Sequence, residues 1–185
     1  PYVSRGALKL VAALDTFRLD PRGLICLDLG ASTGGFTEVL LERGAAKVHA
    51  VDVGHGQLHG RLKRDARVVS LEGRDARSLD RAAIPESIGL LVADLSFISL
   101  RLVLPPVLPL LGPHAALAVL VKPQFEAGRA AVKKGIVRDP AVHAQVCREI
   151  WNFVAELGFT VIDLVPSPVL GGDGNREFLL GARRG

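Results

Sequence analysis

Four charged residues from distant parts of the chain have the types and positions expected of a catalytic centre. Asp94 ends one apolar segment and Lys122 ends the next, so adjacent parallel strands would bring both side chains to one sheet edge. Glu177 begins the last apolar segment and reaches the same edge if that strand runs antiparallel. Lys9 joins them if the N-terminal helix packs across this edge. A lysine and a neighbouring carboxylate neutralise each other's charge, and clusters of such groups have shifted pKa values that serve catalysis.

Taken singly, each of these residues is equally consistent with an ion pair that closes a strand end. The stronger indication is the convergence of all of them beside a glycine-rich turn. That turn follows the first apolar segment, where Gly30 and Gly34 lie four residues apart, unlike the G-x-G-x-x-G spacing of dinucleotide enzymes.

An acidic residue at the end of the second apolar segment strengthens the interpretation of the glycine turn. Asp52 is placed to accept hydrogen bonds from two ribose hydroxyls, and Asp75, after the third segment, to meet an adenine amino group. The pattern therefore predicts an adenosyl ligand. By itself the spacing does not distinguish NAD from S-adenosylmethionine.

Short apolar runs alternate with amphipathic stretches along the chain. The predicted strands are Leu24–Gly30, Lys47–Val53, Val68–Leu71, Ile88–Leu95, Ala115–Val121, Thr160–Val165 and Glu177–Ala182. The predicted helices begin at a Ser4 cap, span Gly35–Arg43 and Leu100–Leu111, and follow Asp139-Pro140 as far as Gly158. This alternation, with nearly continuous apolar strands, predicts an α/β fold whose parallel sheet is covered on both faces.

The bulk composition favours one globular domain over residues 1–185. No apolar run approaches the roughly 20 residues of a membrane span, and no secretion signal opens the chain. The chain begins at Pro1 and has no methionine, so we expect a fragment of a longer protein. Cys26 and Cys147 are expected to be small buried hydrophobic residues, which makes a reducing cytoplasm the default compartment. We identify no set of metal ligands.

A net charge of +4 and a pI near 9.5 favour polyanionic partners without proving one. Basic residues cluster at positions 61–67, 133–138 and 183–184, and for each cluster a solvated surface is as good an explanation as RNA contact. The stretch Pro123–Arg138 is interpreted as a mobile lid over RNA phosphates, or equally as a plain surface loop. The glycine-rich segment 171–175 is expected to be a flexible turn that places Glu177.

Four sequence motifs closely resemble those of the TlyA family, rRNA 2′-O-methyltransferases that are related to FtsJ/RrmJ and were historically labelled hemolysins. The motifs are Ser4-Arg5-Gly6-Ala7-Leu8-Lys9-Leu10, Asp28-Leu29-Gly30-Ala31-Ser32-Thr33-Gly34-Gly35-Phe36-Thr37, Ala93-Asp94-Leu95-Ser96-Phe97-Ile98-Ser99 and Val121-Lys122-Pro123-Gln124-Phe125-Glu126. They follow in order over nearly the whole chain. The resemblance implies a Rossmann-like class I methyltransferase fold, in which a seven-stranded, mostly parallel sheet has its last strand antiparallel.

The resemblance also implies S-adenosylmethionine as cofactor and methyl transfer to a ribose 2′-hydroxyl of ribosomal RNA, with cytidine as the expected nucleotide. It assigns the catalytic tetrad to Lys9, Asp94, Lys122 and Glu177. The implied cofactor-binding positions are Gly30, Ala31, Ser32, Gly34, Gly35, Phe36, Asp52, Asp75 and Asp94. The expected RNA contacts are Arg5, Arg64, Lys133 and Lys134.

Ribosomal RNA or ribosomal subunits are the expected partners, and no interaction with a membrane is expected. Full-length members of the family carry a small N-terminal RNA-binding domain, which nothing in this chain matches. Lys122 is expected either to act as a base, if its amine is neutral, or to stabilise a developing alkoxide as a cation. Three alternatives remain: a methyltransferase for small molecules or proteins, a membrane-active hemolysin, and an RNA-binding module without catalysis.

Overall fold

A computed structural model describes residues 1–185, which form a seven-stranded sheet. The strands are β1 (Ile25–Leu29), β2 (Lys47–Val51), β3 (Val68–Leu71), β4 (Ile88–Ala93), β5 (Leu111–Val121), β6 (Phe159–Pro166) and β7 (Phe178–Arg184). Their spatial order is β3-β2-β1-β4-β5-β7-β6. Strands β1 to β5 are parallel, and β7 runs antiparallel to both of its neighbours. The predicted mostly parallel sheet with an antiparallel last strand is confirmed.

Helices cover both faces of the sheet, as the nearly continuous apolar strands predict. The helices are α1 (Gly6–Phe17), α2 (Gly35–Glu42), α3 (Gly60–Lys63), α4 (Leu100–Val107), α5 (Pro123–Glu126) and α6 (Pro140–Glu156). Alternate residues of each central strand enter one of two cores: α1, α2 and Leu62 of α3 pack on one face, and α4 and α6 pack on the other. The cores hold the carboxyl ends of β1, β2, β4 and β5 at one edge.

Helix α1 lies directly over β5 and β7 because small residues allow a close approach. A Cβ atom at Gly181 of β7 would overlap the ring of Phe17, and Ala116 and Ala118 of β5 belong to the same core as α1. This packing orients Lys9 toward the carboxyl end of β5, and the side chain is 10% exposed. The position of Lys9 therefore depends on a helix–sheet contact between segments far apart in the sequence.

Two local predictions were wrong in detail. Ser4 does not cap α1, which begins after Arg5 and has no side-chain hydrogen bond at its N-cap; instead the Ser4 hydroxyl packs against Gly35. The helix expected over 100–111 ends at Val107 and continues only as a 3₁₀ turn, Leu108–Leu110, because Pro109 lacks the N–H that a further α-helical turn needs. Strand β5 accordingly begins at Leu111 rather than Ala115.

Candidate active site

Two ion pairs bring the four charged residues together at the carboxyl edge of the sheet. Strands β4 and β5 are neighbours, and Lys122, just past the end of β5, places its Nζ 2.6 Å from Oδ1 of Asp94, just past the end of β4. Lys9 Nζ lies 2.7 Å from Oε1 of Glu177, which immediately precedes β7. The convergence expected from strand order is thus present, and α1 supplies the fourth member.

The two pairs differ in their exposure to solvent. The Glu177 side chain is 2% exposed beneath α1, whereas the Asp94 side chain is 26% exposed and lines an open cleft. Gln124 of α5 donates from Nε2 to the second Glu177 oxygen at 3.2 Å, and a Cβ at Gly171 would overlap that oxygen. The Lys9–Glu177 pair is therefore buried beneath the site, whereas the Lys122–Asp94 pair lies at the cleft surface.

The cleft beside Asp94 has a volume of about 480 Å³ and passes between the ends of β1, β2 and β4. Of the cofactor positions expected from the sequence, five line it: Gly30, Ser32, Asp52, Asp75 and Asp94. Gly30 adopts φ 78°, and a Cβ there would overlap the carbonyl oxygen of Asp94, so only glycine allows β1 and the loop after β4 to approach so closely.

The other four expected cofactor positions are buried in the turn and at the start of α2 and do not line the cleft. A Cβ at Gly34 would overlap Leu62, and one at Gly35 would overlap the Ser4 hydroxyl, so both glycines permit close packing of helices. Ala31 and Phe36 belong to the core under α1. These residues pack on the buried side of the glycine-rich turn, whereas Gly30 and Ser32 form the side that faces the cleft.

The acids at the ends of β2 and β3 are held differently. Asp52 accepts the backbone N–H groups of Ser32 at 2.7 Å and Gly54 at 2.9 Å, which orients its carboxylate along the cleft wall and leaves lone pairs for further donors. Asp75 is paired with Arg77 at 2.6 Å, and this hydrogen bond lowers the pKa of Asp75 to about 2. The contact of Asp52 with ribose hydroxyls stays a prediction.

Asp28 is an important acid that the sequence analysis did not single out. Its side chain is fully buried, Oδ2 accepts the Thr37 hydroxyl at 2.7 Å, and Oδ1 has no hydrogen-bond partner. Burial raises the pKa of Asp28 to about 7, helped by the nearby charges of Asp94 and Asp52 and opposed by Thr37. The signal in the sequence was an acid two residues before Gly30, within a strand otherwise made of apolar residues.

An exposed aromatic side chain at the mouth of the cleft was also missed. Phe97 is 90% exposed, has φ 64°, and lies with its ring centroid 5.0 Å from that of Phe125. A bulky residue in this backbone region is uncommon and marks a site where the surrounding structure enforces the conformation. Its ring, in the loop between β4 and α4, stands in solvent beside the Lys122–Asp94 pair.

The basic residues expected to meet RNA, and those clustered with them, fall into paired and unpaired groups. In the 61–67 cluster, Arg61 binds Glu38, Lys63 binds Glu72 and Arg67 binds Asp65, which leaves Arg64 without an ion pair. The other expected RNA contacts, Arg5, Lys133 and Lys134, are also exposed and have no carboxylate partner. Membership of a basic cluster therefore did not by itself identify the charges that are free to meet a polyanion.

The segment expected to be a lid is folded against the loop that precedes Glu177. It contains α5, a 3₁₀ turn at Arg129–Ala131 and a short bridge between Lys133 and Ile136. The side-chain amide of Asn175 makes two hydrogen bonds to this segment. Its Oδ1 accepts the Val137 N–H at 3.1 Å, and its Nδ2 donates to the Gly135 carbonyl at 2.9 Å. The basic tip is consequently attached two residues before Glu177.

The two cysteines are free, with Cys26 buried and Cys147 only half-buried, so the expectation of a buried residue is confirmed for Cys26 alone. None of the helices combines the length and hydrophobicity required to cross a membrane.

Comparison with known proteins places this chain in a family. The chain is 50% identical over 184 residues to YqxC of Bacillus subtilis, described as a "Putative rRNA methyltransferase", and covers 64% of its length. It is 49% identical over 183 residues to the 16S/23S rRNA (cytidine-2′-O)-methyltransferase TlyA of Mycobacterium tuberculosis and covers 68% of its length. The alignments include 97% and 98% of this chain, respectively.

A solved structure and a family model agree with these sequence matches. A protein described as a "putative hemolysin from Lactococcus lactis" superimposes with a TM-score of 0.96 at 45% identity, covering all of this chain and 89% of that one. The model of the FtsJ-like methyltransferases matches residues 2–184. The cofactor of this family is S-adenosylmethionine, and the cleft lined by Gly30, Ser32 and Asp52 has the polar groups to hold it. The chain belongs to the FtsJ-like methyltransferase family.

Proposed function

We propose that this chain is the catalytic domain of an enzyme that methylates a ribose 2′-hydroxyl of ribosomal RNA, with cytidine as the nucleotide. The observation that carries the proposal is the 2.6 Å contact between Lys122 and Asp94 at the rim of the cleft. A cation fixed by a carboxylate at the carboxyl ends of two parallel strands suits a reaction in which a hydroxyl oxygen gains negative charge.

The cleft residues divide the tasks of holding the cofactor. Asp52 accepts hydrogen bonds from the ribose hydroxyls of the cofactor. The backbone around Gly30 and Ser32 contacts the amino-acid portion of the cofactor, and the cleft wall near Asp75 contacts the adenine. When bound, S-adenosylmethionine supplies a methyl group that its sulfonium has already activated. The protein's own contribution is then mainly to align the attacking oxygen and to manage its proton.

Lys122 acts as a cation rather than as a neutral base in this proposal, and the hydroxyl proton passes to solvent water in the open cleft. Its Nζ is held by Asp94 and lies 3.3 Å from Oγ of Ser96, so it is directed along the cleft rim. An ammonium fixed in this way by a carboxylate stabilises negative charge on the 2′-oxygen. Lys9 and Glu177, buried beneath, keep this arrangement in place through α1 and through Gln124.

The exposed Phe97 ring supports an RNA substrate over a small metabolite. Bases that are single-stranded or turned out of a helix are commonly bound by stacking on aromatic side chains. The unpaired cations Arg5, Arg64, Lys133 and Lys134 add the charge that a phosphate backbone requires. We place the activity in the cytoplasm and expect an N-terminal RNA-binding domain in the full-length protein to supply further affinity.

The proposal is tested by methyl transfer from tritiated S-adenosylmethionine to ribosomal subunits with the full-length protein. The expected product is 2′-O-methylcytidine in ribosomal RNA, identified by mass spectrometry of nucleosides. Lys122→Ala should lower the rate at least about a hundredfold while cofactor affinity, measured by calorimetry, stays near that of the wild type.

Lys63→Ala is the matched control, since Lys63 is an exposed lysine paired with Glu72. A Lys122→Ala protein that methylates at a near-normal rate would overturn the assignment. Methylation of free metabolites instead of ribosomal subunits, or leakage of liposomes by the purified protein, would favour the alternative functions.

A further inference from the structure

Four of the five residues in the segment Lys122–Glu126 contact the site, each at a different place. Lys122 binds Asp94, Gln124 binds Glu177, Phe125 packs on Phe97, and Glu126 reaches the start of α4. Backbone bonds from Phe125 N–H to the Lys122 carbonyl and from Ala127 N–H to the Pro123 carbonyl make the segment one tight turn. A displacement of one of these side chains is therefore passed to the others.

Glu126 has no direct contact with the reacting groups. Its side chain is 2% exposed, Oε1 accepts the Ser99 hydroxyl at 2.5 Å, and Oε2 accepts the Leu100 N–H at 2.9 Å. The Arg101 guanidinium lies 3.8 Å away. Burial raises the pKa of Glu126 although these hydrogen bonds oppose the rise, so the carboxylate is kept here against a desolvation cost.

The partners of Glu126 mark the far end of the loop that follows β4. The loop begins at Asp94, whose N–H donates to the Leu29 carbonyl and whose carboxylate binds Lys122. It ends at Ser99, where Glu126 holds the N-terminus of α4. Between these fixed points Phe97 is kept at φ 64° with its ring in solvent. An unfavourable backbone conformation of this kind persists only when the chain on both sides is fixed.

We propose that Glu126 is a positioning residue for methyl transfer, which fixes the far end of the loop Asp94–Ser99 and so keeps the Phe97 ring aligned with Lys122. The inference depends on the proposed function for its kinetic consequence but not for its structural one. Glu126 acts through the loop, and neither substrate nor cofactor needs to touch it.

The near end of the loop does not depend on Glu126, which separates positioning from cofactor binding. Asp94 is held by β1 and packs against Gly30, so the cleft wall closest to the glycine turn stays in place without Glu126. Loss of Glu126 should therefore reduce the rate of methyl transfer much more than it reduces affinity for S-adenosylmethionine. A merely structural role would show as a lower melting temperature without this selectivity.

The test compares Glu126→Ala and Glu126→Gln with the wild type in the full-length protein. Single-turnover methylation of ribosomal subunits should fall about tenfold to a hundredfold in Glu126→Ala, as expected for small misplacements of catalytic groups, and about threefold in Glu126→Gln, which keeps the size of the side chain and one acceptor. Glu149→Ala is the control, because Glu149 also pairs with Arg101, at 3.0 Å, but is exposed on α6. It should leave the rate unchanged.

Two further readouts make the result specific. In Glu126→Ala, backbone hydrogen exchange without substrate should increase over residues 95–101 and remain unchanged in β4 and β5. In a Phe97→Ala background, adding Glu126→Ala should lower the rate little further, because the loop position then matters less. Independent, multiplicative losses of rate or unchanged exchange would overturn the positioning role.

These outcomes also separate this proposal from the proposed function. If the wild type does not methylate ribosomal RNA, the proposed function fails, and hydrogen exchange still decides whether Glu126 fixes the loop. If the wild type methylates and Glu126→Ala matches it in both rate and exchange, only the Glu126 proposal is wrong. If Glu126→Ala does not fold, Glu126→Gln carries the same comparison.

Discussion

At the scale of single residues, Asp28 couples the stability of the fold to pH. Its carboxyl is fully buried, accepts one hydrogen bond from Thr37 and has one oxygen without a partner. The folded-state pKa of about 7 lies above the ordinary value of 3.8. Between these two values the folded protein binds more protons than the unfolded chain, so stability must decrease as the pH rises through this window.

We predict that Asp28→Asn removes this pH dependence. At pH 5, where the buried acid is protonated, variant and wild type should melt at similar temperatures. From pH 5 to about pH 7 the wild type should lose stability relative to the variant, because the unfolded chain releases the Asp28 proton while the buried acid keeps it. Thermal unfolding followed by circular dichroism without cofactor measures this. Asp173→Asn, at an exposed carboxylate, is the control. A Tm difference for Asp28→Asn that does not change with pH would contradict the prediction.

Phe97 gives a second prediction at the residue scale. If its exposed ring stacks on a base, Phe97→Ala should weaken binding of substrate RNA by about tenfold or more, since base stacking is worth about 1–3 kcal/mol. Phe97→Tyr keeps the stacking face and should bind RNA nearly as the wild type does. Fluorescence anisotropy with labelled RNA measures the affinities. Trp151→Ala, which removes another exposed aromatic ring, on α6, serves as the control.

At the scale of secondary-structure elements, the contact of α1 with β7 decides where Lys9 lies. The two elements approach closely at Gly181, where there is no room for a side chain because of the Phe17 ring. The lysine sits two turns earlier on the same helix and binds Glu177 at the entry to β7. The distance between α1 and β7 therefore sets the geometry of the buried Lys9–Glu177 ion pair.

We predict that Gly181→Ala destabilises the protein by about 1–3 kcal/mol, the usual cost of overpacking a core. The same change should lower methyl transfer, because a displaced α1 carries Lys9 away from Glu177. Urea unfolding and initial rates are the measurements. Gly128→Ala is the control, since that glycine has φ −64° and no atom close to its Cβ position. Equal stability of the two variants would show that α1 adjusts without cost.

At the scale of the whole molecule, ion pairing within the protein separates basic residues that are neutralised from those that remain available. Three of the four basic side chains at 61–67 are held by carboxylates on α2, before β3 and after β3. Lys133 and Lys134 have none, and Asn175 attaches their turn near Glu177. The net charge of +4 is thus less informative about RNA binding than the location of unpaired charge.

We predict that replacing Lys133 and Lys134 together by alanine weakens RNA binding and reduces the slope of log Kd against log salt by about 1–2. The matched control replaces Lys63 and Arg67, which are already paired with Glu72 and Asp65. Its salt slope should stay close to that of the wild type. If both double variants lose the same slope, ion pairing does not decide which cations contact RNA.

The central part of the site could be predicted from sequence because it follows from strand order. Asp94, Lys122 and Asp52 end parallel strands, and the carboxyl ends of such strands share one edge. Asp28 and Phe97 were not predicted, since burial in one case and a positive φ in the other depend on the chain around them. The Ser4 cap failed because the hydroxyl packs against Gly35 of another helix.

Periodicity and turn residues in the chain are enough to specify the α/β class, the glycine turn and the meeting of Asp94 with Lys122, because those features depend on local pattern and strand direction. Packing in three dimensions was needed to pair Lys9 with Glu177, to neutralise Arg61 but not Arg64, and to bury Glu126 against α4. These contacts join residues 23 to 168 positions apart. Such pairings depend on how closely two elements approach, and small residues such as Gly181 and Gly35 set that distance.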